Sequence, residues 1–157
     1  MLKPGEIALG FDPATRPDAG VVFIGHMETP WSKGDCPKNP RSARERGGPF
    51  VACIDEPYRA GLLGLEAGKS VILLYWMERA VRDVLVQTPA SKPSPTGVFA
   101  LRSPARPNPV ALAVTKILAI DAEAGRIEVD ASDAFNGTPL LDIKPWISGI
   151  DAPEDGG

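Results

Sequence analysis

The sequence predicts a mainly β fold: a barrel-like, coiled antiparallel sheet with a few short helices, and not a Rossmann fold. Three observations carry this. The 157 residues include 17 prolines and 16 glycines. Proline removes a helical donor and clashes with the preceding turn, and glycine costs a helix roughly 1 kcal/mol, so long helices are disfavoured. Short runs rich in β-branched and aromatic residues recur between turn signals. No G-x-G-x-x-G stands between a strand and a helix.

The candidate strands are 6–10, 20–26, 50–54, 71–77, 97–101, 110–120 and 125–129. The longest apolar run, Val71-Ile-Leu-Leu-Tyr-Trp-Met77, suits a buried strand. It falls well short of the roughly 20 residues a membrane helix needs. Val110, Leu112 and Val114 alternate, which implies one buried face. Residues 121–125 read as a hairpin loop between the last two strands. Residues 58–65 read as a short helix. So do residues 78–86, with Val81, Val84 and Leu85 on one face. Pro89, Pro93 and Pro95 make 87–96 an irregular loop. The tail 151–157 reads as frayed. No repeat or linker divides the chain, so 1–157 is read as a single domain with its core over about 20–150.

The first residues, Met1-Leu-Lys-Pro-Gly-Glu, lack the apolar core of a signal peptide, and a cytoplasmic location is expected. Cys36 and Cys53 are then reduced: one a small buried side chain, the other a loop thiol. Neither C-x-x-C nor H-x-x-x-H spacing occurs, and His26 is the single histidine, so no metal site is expected. A net charge of −3 argues against general polyanion binding. Within 31–48, however, Lys33, Lys38, Arg41, Arg44 and Arg46 stand against Asp35 and Glu45. That segment is +3 on a body of −6: a solvated loop or a phosphate-contacting patch.

Two segments hold the candidate chemistry. In 97–109 a strand runs into Pro104, Pro107 and Pro109, which fix the backbone and push Ser103, Arg106 and Asn108 toward extended conformations. Polar side chains are displayed there on a stiff support. The competing reading is a structural loop whose arginines are internally bonded. In 135–146, Asn136-Gly137 is a strong turn signal whose amides could form an anion-binding nest. Asp142 and Lys144 fall on one face of an extended strand, where they pair with each other or meet a ligand.

These segments carry a family resemblance. Gly97-Val-Phe-Ala-Leu-Arg-Ser-Pro-Ala-Arg-Pro-Asn-Pro-Val-Ala-Leu112 resembles the motif G-V-F-A-T-R-S-P-x-R-P-N-P-I-G-L of the TsaA/TrmO (YaeB-like) family of S-adenosylmethionine-dependent tRNA methyltransferases. Asn136-Gly-Thr-Pro-Leu-Leu-Asp-Ile-Lys-Pro-Trp146 resembles its D-G-T-P-x-L-D-I-K-P-Y motif. The resemblance covers roughly 20–150. It implies a β-rich S-adenosylmethionine-binding fold, a homodimer, and methyl transfer to N6 of threonylcarbamoyladenosine in the tRNA anticodon arm. It also implies a cofactor site of Pro37, Lys38, Asn39, Glu78, Arg79, Arg102, Leu112, Phe135, Asn136, Gly137 and Thr138. Leu101, Ala111, Ala113, Lys38-Asn39, Asn136 and Glu78 depart from the family pattern. The alternative classes are an S-adenosylmethionine-binding module and a methyltransferase with a non-RNA acceptor. Tyr75 and Trp76 are candidate sulfonium partners or core residues. Asp142 and Glu78 are the carboxylates nearest the motifs, with no residue assigned as base. Trp31 and Trp146, in proline-flanked segments, read as superficial and suited to a subunit contact.

Overall fold

A computed structural model describes residues 2–154. The strands are β1 (Ile7–Ala8), β2 (Gly25–Glu28), β3 (Val51–Ile54), β4 (Ser70–Trp76), β5 (Val84–Gln87), β6 (Thr96–Gly97), β7 (Val110–Asp121), β8 (Arg126–Val129) and β9 (Pro139–Pro145). The helices are α1 (Pro40–Arg46) and α2 (Ser148–Asp151), with 3-10 turns at Pro13–Thr15, Glu56–Leu62 and Val98–Ala100. The chain forms two compact units. One comprises the residues up to Val21 together with Trp76–Ala111, and the other Val22–Tyr75 together with the residues from Leu112 onward.

The larger unit is built on a closed antiparallel barrel in the order β2-β3-β8-β7-β4-β9. Its core follows the two-residue period of a strand. Met27, Ala52, Val71, Leu73, Tyr75, Ala113, Ile117, Ile127, Val129 and Leu140 point inward and are buried. Full burial of an aliphatic side chain of this size stabilises by about 1.5–3 kcal/mol. The hairpin at 121–125 forms as expected. Asp121 Oδ1 accepts from the Ala124 amide at 2.9 Å, and Gly125 takes a φ of 69°. In the smaller unit β5 pairs with both β1 and β6.

Several expectations are corrected. Residues 78–86 are not a helix. Met77 N–H donates to the Pro109 carbonyl, Ala80 N–H to Met77, and Val84–Gln87 is strand β5. The β-branched valines favour a strand wherever a partner edge exists, and β1 and β6 supply two. Residues 97–101 contribute only Gly97 to β6 before the 3-10 turn. The strand expected over 20–26 begins at Gly25. Residues 56–62 form a 3-10 turn, not an α-helix over 58–65. On β7 the exposed set is Val110, Leu112 and Val114, and the intervening Ala113, Thr115 and Ile117 are buried. Trp31 is buried, its Nε1–H donating to the Ser132 carbonyl at 2.7 Å, with the Arg46 guanidinium over its ring. The expected frayed tail begins inside α2 at Asp151, and 155–157 lie outside the described residues.

The second half of the basic segment is ordered as α1, while Lys33 and Lys38 precede it in turns and bends. Asn39 caps it by accepting from Ser42 N–H at 2.9 Å, Pro40 occupies the first helical position, and Arg44 and Arg46 sit in the last turn. Three of its cations are paired: Arg41 with Glu45, Arg46 with Asp35, and Arg44 with Asp130.

Asp130 ties α1 to the barrel. It accepts from Arg44 Nε at 2.8 Å, from Lys116 N–H at 2.9 Å and from the Thr115 hydroxyl at 2.6 Å. Burial alone would raise its pKa, but the three donors outweigh burial and hold the carboxyl below its ordinary range. A depressed carboxylate pKa contributes stability above the unfolded value, lost as pH falls through the folded one. Asp130→Asn is therefore expected to lower the urea midpoint at pH 7, with the gap to the parent closing below pH of about 4. A gap unchanged between pH 7 and pH 3 would remove this assignment.

Candidate functional site

On the outer surface of the barrel lies a cleft of about 500 Å³, lined by His26, Glu28, Thr29, Pro30, Pro49, Val51, Arg126, Asn136 and Gly137. Strand register explains its floor. His26 stands opposite Cys53 on β3, and Cys53 opposite Arg126 on β8. Glu28 lies two residues from His26, on the same face. The core neighbours Met27, Ala52 and Ile127 point the other way and anchor this polar row.

The row is electrostatically organised. Arg126 grips Glu28 with two nitrogens, at 2.8 and 3.3 Å, and one of these lies 3.5 Å from Cys53 Sγ. His26 Nε2 is 3.9 Å from Glu28 Oε1. The Arg126 hydrogen bond, then that of Cys53, holds the Glu28 carboxyl below its ordinary pKa. Burial, then the neighbouring Glu28, pushes the Cys53 thiol up to about 11. Cys36, bonded to the Asp133 carbonyl at 2.7 Å, is likewise pushed up to about 11, chiefly by burial. Both stay protonated at neutral pH and are poor nucleophiles. His26 Nε2, a Glu28 oxygen and Cys53 Sγ lie within 4.8 Å of one another. A borderline cation such as zinc accepts a mixed donor set of this kind, but the Arg126 guanidinium already sits on two of the three.

The cleft wall is the turn 135–138. Thr138 N–H donates to the Phe135 carbonyl, and Gly137 adopts a φ of 83° at the third position, which a type II turn reserves for glycine. Asn136 N–H donates to Trp31 and Gly137 N–H to Met27. All three amides are thus spent on carbonyls, so the turn does not offer the expected anion nest. It presents the Asn136 side chain, whose Oδ1 accepts from Thr29 N–H at 3.2 Å, leaving the amide –NH₂ to face a ligand. Nothing stands within 4 Å of where a Gly137 Cβ would be.

The sequence-predicted site residues divide between the units. Pro37, Lys38, Asn39, Leu112, Phe135, Asn136, Gly137 and Thr138 belong to the larger unit, and Glu78, Arg79 and Arg102 to the smaller. Of the eleven, Asn136 and Gly137 line the cleft. Pro37 is buried, Lys38 exposed, and Asn39 engaged as the helix cap. In the proline-braced loop Arg106 is a staple: Nε donates to Ser103, and one terminal nitrogen to Val98 and Leu101 carbonyls at 2.7 and 2.6 Å. Arg82 similarly donates to Pro107 and Asn108. Arg102 is exposed and makes no hydrogen bond or ion pair among the described residues. Tyr75 is a core residue, its hydroxyl donating to Asp133 at 2.6 Å. Lys144 pairs with Asp142 at 2.7 Å. Sequence reasoning did not assign His26, Glu28, Cys53 or Arg126. The spacing His26-x-Glu28 on a strand was a usable signal, whereas the approach of β3 and β8 was not.

Residues 26–152 match the tRNA-methyltransferase O N-terminal domain. The chain belongs to this TrmO family. Two crystal structures illustrate the likeness: TrmO from Pseudomonas aeruginosa aligns with a TM-score of 0.70 and 29% identity, over 90% of this chain and 61% of that one. A second TrmO structure aligns with a TM-score of 0.68. This chain therefore spans about three fifths of those solved chains. A probable S-adenosyl-L-methionine-binding protein VirR of Rhizobium radiobacter is 36% identical over 92% of this chain and 79% of its own. An S-adenosyl-L-methionine-binding protein of Archaeoglobus fulgidus is 38% identical over 82% of this chain and 89% of its own. A tRNA (adenine(37)-N6)-methyltransferase of Rattus norvegicus is 36% identical over 60% of this chain and 22% of its own. No helix among the described residues is long and apolar enough to cross a membrane.

Proposed function

We propose that this protein is an S-adenosylmethionine-dependent tRNA methyltransferase that methylates N6 of threonylcarbamoyladenosine next to the anticodon. It acts in the cytoplasm as a homodimer. The observation that carries the reading is the family match, which runs through both motifs and the cleft residues.

The residues present suit the cofactor. On the family motif alone, Arg102, an exposed guanidinium not engaged elsewhere among the described residues, is the proposed cation for the carboxylate of the cofactor. Its hydroxyls and ring nitrogens need small polar partners. Asn136 offers an amide, and Gly137 leaves room for close approach. When bound, the cofactor supplies an electrophilic methyl group on a sulfonium. The chain's task is then to orient the acceptor and exclude water. Lys33 and Lys38 form no ion pair among the described residues, and they support the reading of the basic segment as a phosphate contact.

Incubation of the protein with radiolabelled S-adenosylmethionine and tRNA bearing threonylcarbamoyladenosine is expected to label that nucleoside. Calorimetry is expected to show one cofactor site per chain. Arg102→Ala should weaken cofactor binding by about 1.5–3 kcal/mol, the loss of a charged hydrogen bond. Undetectable binding by folded protein at millimolar cofactor would end the methyltransferase reading. Binding without transfer to RNA would instead favour the binding-module reading, which the names of the Rhizobium and Archaeoglobus relatives support.

A homodimer fits a surface feature of β7. Leu112, Val114 and Leu118 are 39, 42 and 51% exposed along one strand, with the exposed Lys116 between the last two. An aliphatic row of this kind on a sheet face suits a self-complementary contact.

A further inference from the structure

We infer that His26 is the proton acceptor for the nucleophilic nitrogen of the methyl acceptor, and that the His26–Glu28–Arg126 cleft is where that nitrogen is held. This rests on the methyl-transfer reading above. A nitrogen conjugated to a carbonyl is a weak nucleophile, and its N–H proton must leave as the new bond forms. The nitrogen–carbon bond forms as the carbon–sulfur bond breaks. That bonding pair goes to sulfur, turning a sulfonium into a thioether, and the proton passes to the imidazole.

Four observations favour His26 over the other bases of the chain. It lines the same cleft as Asn136 and Gly137. Its side chain is 46% exposed, so a substrate can reach it. Glu28 Oε1 lies 3.9 Å from Nε2 and would stabilise the imidazolium formed. Arg126 fixes Glu28 from the far side with two hydrogen bonds, which keeps that carboxylate from taking the proton itself. Beside the imidazole stand Glu28 on β2, Cys53 opposite it on β3 and Pro139 opposite it on β9, with Arg126 of β8 held on Glu28 and Cys53. The carboxylates nearest the sequence motifs are less suited. Asp142 is paired with Lys144, and Glu78 is not among the residues that line the cleft.

The single histidine makes a direct test possible. Tag-free protein labelled at the imidazole gives one ring signal. That signal is expected to shift when an anticodon stem-loop bearing threonylcarbamoyladenosine is added with S-adenosylhomocysteine, where no turnover occurs. His26→Gln is expected to lower kcat by about 100-fold or more, with KM for tRNA within about threefold and cofactor affinity by calorimetry unchanged. Added imidazole should restore part of the lost rate. A ring signal that does not move, or a His26→Gln protein as fast as the parent, overturns the assignment and leaves the methyl-transfer reading standing. A parent protein that transfers no methyl group overturns both.

Discussion

A Gly25→Ala protein is expected to lose about 3 kcal/mol or more of stability, the upper range for overpacking. Gly25 begins β2 and pairs on one side with Ile54 and on the other with Leu140. A Cβ added there would run into the backbone carbonyl of Cys53 and press on the Ile54 backbone. A flexible side chain could give way, but a carbonyl held in a closed barrel cannot move without opening the β2–β3 seam. That seam carries the His26–Cys53–Arg126 row, so the cleft would be lost with it. Gly137→Ala is the instructive contrast. Its φ is also positive, but open space surrounds the added methyl, so only the left-handed backbone cost of roughly 1–2 kcal/mol applies. Urea unfolding of the two variants beside the parent measures both. Equal losses would show that the close approach to Cys53 is not what requires glycine at position 25.

The barrel was legible where a strand announces itself locally. Val51–Ile54, Ser70–Trp76, Val110–Asp121 and Arg126–Val129 carry β-branched runs bounded by turn residues, and they lie within a residue or so of where they were expected. The errors have separate causes. Residues 78–86 show helical spacing of Val81, Val84 and Leu85, but Val84–Gln87 pairs with β1 and β6, partners remote in sequence. The exposed face of β7 is apolar, so the alternation was visible while its direction was not: Ala113 and Thr115 are small or polar residues that happen to face inward. The helix α1 was missed although Asn39, Pro40 and the closing arginines are ordinary helix-end signals, because its charge drew the reading toward a loop. At the site, the motifs pointed to Asn136 and Gly137, which line the cleft. The role of Arg106 was not readable, since a staple and a ligand contact need the same residue type. Nor could local sequence bring Arg126 to Glu28 across 98 positions.

A Val114→Asp, Leu118→Asp protein is expected to sediment as a monomer at concentrations where the parent is a dimer. Both side chains project from the outer face of β7, while Ala113, Thr115 and Ile117 fill the core from the other. The substitutions therefore act on the surface and should leave the urea midpoint close to the parent's. In a two-fold contact the same patch is used by both subunits, so two changes per chain place four carboxylates in the interface. Lys116 stands between the two on each chain and can pair with only one of them, so at least one carboxylate per subunit would have to shed water unpaired, at a cost of several kcal/mol per ion after relaxation. Each also forfeits the apolar burial of the aliphatic chain it replaces. Since about 1.4 kcal/mol is a factor of ten, dissociation should rise by more than about a thousandfold. Sedimentation equilibrium across micromolar concentrations reads this directly. A parent that is monomeric throughout, with methyl transfer intact, would remove the dimer. A variant that dimerises as tightly as the parent would move the interface off β7, and the exposed row of Leu112, Val114 and Leu118 would then need another partner.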